Sequence, residues 1–170
     1  MTLERLWAGW RTAYVSEAAE GNAERVGDAC VFCRIAASDE PDEETLVLWR
    51  GPLALVVLNL YPYTSGHLMV LPTRHVAELE DVDGEEVQAL WAALADATRA
   101  LKDAYRPEGI NVGVNLGRAA GAGVPGHFHV HCLPRWAGDT NFMTSVASTR
   151  VLPEALTDTW ARLRATWPRD

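Results

Sequence analysis

Five histidines stand in the chain, His67, His75, His127, His129 and His131, and the last three alternate with apolar residues. Side chains two apart on an extended strand share a face, so these three rings line up side by side. Phe128, Val130 and Cys132 then point the opposite way into a core, where Cys132 reads as an ordinary buried thiol. Imidazoles clustered beside the glycine-rich segment Gly117 to Gly126 suit two chemistries. The first is nucleophilic attack on phosphorus, in which one neutral ring nitrogen attacks while the other is oriented by a hydrogen bond to a backbone carbonyl. The central ring, His129, is best placed as the nucleophile. His131 would donate to a phosphate oxygen or the leaving group, glycine-segment amides would approach the phosphates, and Asn115 would add a side-chain amide. The second is a catalytic metal, because His-x-His on a strand plus one more ligand is a common zinc arrangement. No acidic residue within 127–131 would serve such a metal as general base.

Cys30 and Cys33 have the spacing of half a zinc site, for which His75 and one of the three alternating histidines are candidate partners. Two thiolates and two imidazoles would close a tetrahedron and make the metal structural. A redox pair and plain burial compete with this reading, although the two cysteines do not sit in a thioredoxin-like strand-to-helix unit.

The elements that must position these groups follow from periodicity. Thr45 to Arg50 and Leu53 to Leu60 read as strands joined by a turn at Gly51-Pro52, and His67 to Leu71 as a third strand closed by Pro72. Val87, Leu90, Trp91, Leu94, Ala97, Leu101 and Ala104 give a helical face, with Asp83 as N-cap. Ile110 to Leu116 and Phe128 to Leu133 complete about five strands. Leu3, Leu6, Trp7, Trp10 and Tyr14 mark an N-terminal helix over roughly residues 2–18, and Leu156, Trp160, Leu163 and Trp167 a C-terminal one opened by Pro153. The linker-like stretches are Ala36 to Glu44 and Glu20 to Asp28. The expected fold is α+β, one domain over 1–170 built on an antiparallel sheet of about five strands with a long helix and flanking terminal helices.

With 170 residues, 48% of them apolar, the chain can bury a single core. Its net charge of −8 excludes binding driven by nonspecific attraction to nucleic acid or anionic membrane, so an anionic ligand needs a local site. No apolar run approaches a membrane span, and Glu4, Arg5 and Arg11 interrupt the place of a signal peptide, which makes a cytoplasmic address the expectation. Three cysteines, an odd number, argue against a disulfide framework.

The run His127-Phe-His-Val-His-Cys-Leu-Pro134 resembles the signature of the histidine triad superfamily, a nucleotide-binding family. The resemblance extends through Asn59 to Leu71, similar to the ribose-binding segment, and Asn115 to Gly123, similar to the phosphate loop, covering about 44–136. Pro134 to Met143, with the Leu6-Trp7 helix, resembles the bacterial diadenosine tetraphosphate phosphorylase branch. The resemblance implies a nucleotidyl transferase or hydrolase of dinucleoside polyphosphates in which His129 attacks the α-phosphorus and forms an adenylyl-histidine. Phosphate would then release ADP, and water AMP. It further implies phosphate contacts from His131, Asn115 and the loop glycines Gly121 and Gly123, a ribose contact from Asn59, and a supporting role for His67. It selects His127 as the fourth ligand, beside Cys30, Cys33 and His75, of a structural zinc, and implies a homodimer with no catalytic metal or organic cofactor. One departure is that Gly121-Ala-Gly-Val-Pro-Gly126 lacks the hydroxyl residue many members carry there, so backbone amides would have to assist the leaving group. An adenosine phosphoramidate hydrolase and a non-catalytic, zinc-stabilised nucleotide-binding module are the alternatives. For Asn59 and Asn115 the plain reading is as turn residues, for His67 a carbonyl-satisfying ring, for His75 a solvated loop residue.

Overall fold

A computed structural model describes residues 30–139 and 154–168. The expected N-terminal helix over 2–18, the segment Glu20 to Asp28, the stretch Thr140 to Met143 and Pro153 lie outside them. Two short helices, α1 (Val31–Ala37) and α2 (Asp42–Thr45), precede the strands β1 (Val47–Arg50), β2 (Ala54–Leu58) and β3 (Leu68–Pro72). Helix α3 (Gly84–Tyr105) leads to β4 (Gly109–Val114) and β5 (Val130–Arg135), and α4 (Leu156–Thr166) follows. The strands form one antiparallel sheet in the order β1-β2-β3-β5-β4.

Alternation assigns the two faces of the sheet. Val56, Leu58, Leu68, Val70, Val130 and Cys132 pack against Leu90, Leu94, Ala97 and Leu101 of α3. Val47, Leu55, Val57, Met69 and Leu71 form a second apolar layer on the other face, closed by Phe32 of α1. Because both faces are covered, all five residues of β2 and of β3 are buried. Helix α3 starts at a capping box: Asp83 accepts from the Glu86 N–H at 2.9 Å, and Glu86 accepts from the Asp83 N–H at 3.1 Å. Glu86 is itself buried and receives both Nε and Nη2 of Arg74, at 2.8 and 2.7 Å. That clamp ties the loop after β3 to the helix start.

Several boundaries differ from the periodic reading. Ala36 to Glu44 is no simple linker, because it contains the end of α1 and the first three residues of α2, which runs on to Thr45. Arg50 reaches across to cap this segment, donating to the carbonyls of Ile35 and Ala36 at 3.0 and 3.1 Å and to Asp42 at 2.8 Å. Val87 and Trp91 leave the expected buried stripe and are 46% and 70% exposed. The contact stripe of α3 instead includes the small residues Ala93 and Ala100, which let helix and sheet approach closely. His127 and His129 precede β5 rather than lying in its ladder. Strand β3 ends at Pro72, which has no N–H to offer, and the chain opposite is tied instead by Phe128 donating to the Val76 carbonyl at 2.6 Å.

The two sheet edges differ. Trp160 and Arg164 of α4 donate to the carbonyls of Val47 and Leu48 on β1, at 2.7 and 3.0 Å. Strand β4 is largely exposed, including Val112 at 46% and Val114 at 37%.

Candidate active site and metal centre

Cys30 and Cys33 sit at the start of α1, one as N-cap and one in the first turn, so both sulfurs face the end of β3 and the residues before β5. Cys33 Sγ lies 3.3 Å from His75 Nδ1, and Cys30 and Cys33 Sγ lie 3.4 and 3.6 Å from His127 Nδ1. All four ligand atoms fall within 4.8 Å of one another. Metal–sulfur bonds of about 2.3 Å and metal–nitrogen bonds of about 2.0 Å at a tetrahedral angle place sulfur and nitrogen about 3.5 Å apart. The four side chains therefore fit one tetrahedral ion of zinc-like preference. His127 Nε2 donates to the Pro72 carbonyl at 2.9 Å, which leaves Nδ1 with its lone pair directed at the sulfurs.

Beyond His127 the chain carries the other two rings of the run. His129 Nδ1 donates to the His127 carbonyl at 2.8 Å, so the lone pair of this 4%-exposed ring is on Nε2. The rings of His129 and His131 meet edge to face at 4.9 Å. His67 approaches from the turn before β3. Its Nδ1 accepts from the Tyr63 N–H at 3.1 Å, so in the neutral ring the proton is on Nε2, which donates to His131 Nδ1 at 3.0 Å. His131 is thereby left with an Nε2–H donor. Burial pushes the His127 and His129 rings below the ordinary imidazole range and, with the neighbouring His129, takes His131 down to about 4. The cluster is neutral at pH 7, which gives one lone-pair nitrogen and one N–H donor side by side. Burial raises Cys132 to about 12, in keeping with an inert core thiol.

The backbone delivers His67 by a tight device. Gly66 has φ +84°, and a Cβ there would come within 3.1 Å of the Leu101 and Tyr105 side chains and 3.2 Å of Pro134. Only glycine meets both demands without strain.

A family model described as the HIT domain matches residues 40–138. The chain belongs to the HIT family. It is 45% identical over 98% of its length to an AP-4-A phosphorylase from Mycobacterium tuberculosis, 86% of which is covered. Protein hit of Bacillus subtilis is 30% identical over 66% of the chain and 75% of its own. Among solved structures, a Zn-bound histidine triad family protein from Mycobacterium smegmatis superposes with a TM-score of 0.65 at 30% identity, covering 81% of this chain and 92% of that one. The α+β expectation, five antiparallel strands with one long helix, holds for this HIT protein.

The remaining residues singled out in the sequence are placed unevenly. Asn59 closes β2 with its Oδ1 accepting from the Tyr61 N–H at 2.9 Å, a turn role, while its Nδ2 lies 3.4 Å from His67 Nδ1. Asn115 follows Val114, whose partner is Val130, so register carries it alongside His129. Gly121 ends a short helical turn, Arg118–Ala120, at φ +94°, and Gly123 follows two residues later. Two contributors escaped the sequence reading of this HIT protein. Tyr63 faces His67 at 4.7 Å and stacks on His131 at 6.2 Å, and Phe32 packs on His127 and His129. An aromatic between two cysteines, or in the segment before His67, was the available signal.

Proposed function

We propose that this HIT protein cleaves dinucleoside polyphosphates at an adenylyl phosphorus through His129, and that it does so as a phosphorylase. The observation that carries the reading is the fixed pair of tautomers, a lone pair on His129 Nε2 beside an N–H on His131 Nε2. Nε2 of His129 attacks the α-phosphorus, the bond to the bridging oxygen breaks, and the departing polyphosphate leaves as an anion whose oxygen accepts a hydrogen bond from His131 Nε2–H. Positive charge that develops on His129 is stabilised by its Nδ1–H bond to the His127 carbonyl. Inorganic phosphate then attacks the adenylyl-histidine to release ADP and restore the ring, the outcome favoured by the name of the M. tuberculosis relative. Asn59 holds the ribose, and Asn115, Gly121 and Gly123 present amides to the phosphates. His67 keeps His131 in its donor tautomer. With no hydroxyl residue between Gly121 and Gly126, His131 and the loop amides carry the burden of leaving-group departure.

The metal in this reading is zinc held by Cys30, Cys33, His75 and His127, and its contribution is structural. The site is closed by four protein ligands, and His127, engaged through Nδ1 and Nε2, takes no part in proton transfer. The protein works as one domain in the cytoplasm; among the described residues no helix is long and apolar enough to cross a membrane.

The decisive experiment mixes enzyme with diadenosine tetraphosphate, quenches without acid and weighs the protein. Wild type gains an adenylyl group on His129, while His129→Ala loses turnover by at least about a thousandfold and still binds nucleotide. Normal turnover in that variant would remove the assignment. Product analysis yields ADP when inorganic phosphate is present, and AMP alone would make the protein a hydrolase. Adenosine phosphoramidate, run on the same preparation, is cleaved more slowly than the dinucleotide; the reverse order would favour the phosphoramidate reading.

The homodimer belongs to the same proposal. Among the described residues strand β4 is an unpaired edge with Val112 and Val114 exposed, and beside it lies an open cleft of about 350 Å³ bounded by Thr98 and Lys102 of α3 and Ile110 of β4. Exposed apolar edges of this kind are normally covered, and a second copy offers a matching strand. Light scattering gives a dimer for wild type and a monomer for Val112→Lys. A monomeric wild type would overturn the assembly.

A further inference from the structure

Phe32 is the second of the two residues between the cysteines, and it is only 4% exposed. One side of it meets the His127 ring edge-on, with centroids 5.4 Å apart and planes at 81°. It also meets the His129 ring at 5.3 Å and 58°. Behind it lie Val47, Leu55, Val57, Met69 and Leu71, which prevent it from retreating.

His129 needs such a wall. Its Nδ1–H bond to the His127 carbonyl selects the tautomer but constrains the ring at one atom only, and the second side-chain torsion of histidine is broad. Swinging about that bond would carry Nε2 away from an incoming phosphorus. Phe32 supplies a second constraint, and the edge of His131 a third.

We propose that Phe32 is a positioning residue for His129, and that the Cys30/Cys33/His75/His127 centre fixes the nucleophile by holding Phe32 against it. The inference rests on the reading of His129 as nucleophile, but its structural half stands apart from catalysis. Cys33 follows Phe32 directly and Cys30 precedes it by two residues, so an ion that pins both sulfurs pins the backbone that carries the ring. The metal site thereby orients a reacting side chain while supplying no ligand position to the substrate.

The test uses Phe32→Leu, which fills much of the space without a flat face, and Leu163→Ala as a control that weakens the opposite apolar layer from α4. Phe32→Leu keeps one metal ion per chain, and at saturating nucleotide its single-turnover adenylylation slows by about tenfold or more. Leu163→Ala, for a drop in Tm at least as large, leaves that rate within about twofold. Imidazole nitrogen NMR on the nucleotide-free protein reads the geometry directly. His129 is a single Nδ1–H tautomer in wild type, and becomes an averaged mixture both in Phe32→Leu and in wild type stripped of metal. An unchanged His129 spectrum in either sample, or equal slowing in the two variants, overturns the proposal. Failure of wild type to form any adenylyl-histidine would instead overturn the proposed function, while the spectra would still decide the positioning claim.

Discussion

An imidazole serves phosphoryl transfer in one tautomer at a time, and here backbone groups make the choice. The Pro72 carbonyl takes the proton of His127 Nε2, the His127 carbonyl takes that of His129 Nδ1, and the Tyr63 N–H occupies His67 Nδ1. Burial then lowers His127, His129 and His131 below the ordinary imidazole range. The sign of the resulting pH dependence is definite. His131 titrates near 4 in the folded protein and near the ordinary 6.5 when unfolded, so between those values the unfolded chain binds more protons. Stability present above pH 6.5 is therefore lost as pH falls toward 4, which denaturant titrations across that range will register. For activity, His129 keeps its lone pair below the ordinary imidazole range, so the acid limb of kcat/KM lies below pH 6.5. An acid limb above 6.5 would contradict a neutral cluster. The alternation of His127, His129 and His131 made the shared face legible from sequence. The partnership of His67 with His131, 64 positions apart, was not, because nothing local records which two turns meet.

At the scale of elements, the site depends on how strands end. Pro72 stops β3 and turns its carbonyl to His127, and Gly66 turns the chain so that His67 enters β3 against His131. Gly66→Ala forces a side chain into a left-handed backbone already in contact with Leu101, Tyr105 and Pro134, and is expected to cost about 1 kcal/mol or more in a denaturation curve. Its effect on turnover is larger than that of an equally destabilising change on α4, because it displaces His67. Helix α3 was legible down to its N-cap, since the capping box at Asp83 and Glu86 is a local motif. The exposure of Val87 and Trp91 was not. Periodicity fixes a direction for the apolar stripe but not its width, which the alanines facing the sheet decide.

Taken whole, the molecule is stitched by one centre that joins the start of the described chain to its middle. Cys30 meets His127 across 97 positions, and Cys33 meets His75 across 42. A metal bound only to the folded state would add its binding free energy to stability. Chelation is accordingly expected to lower Tm by about 5 °C or more, and zinc to restore it. A Tm indifferent to chelator would show that the four ligands do not hold an ion. Helix α4 covers β1 at the other edge of the sheet, while among the described residues β4 remains largely exposed.

The sequence by itself determined the family, the sheet-and-helix class, the histidine face and the cysteine pair, because strand alternation, helical period and short spacings are local and survive in the order of residues. Tertiary structure decided the rest. It gathered the ligand atoms of Cys30, Cys33, His75 and His127 within 4.8 Å of one another, set which nitrogen of each imidazole bears the proton, and laid Phe32 against His129. Those outcomes depend on atoms brought together from distant segments, and on a carbonyl or an amide being at hydrogen-bond distance, which no interval along the chain encodes.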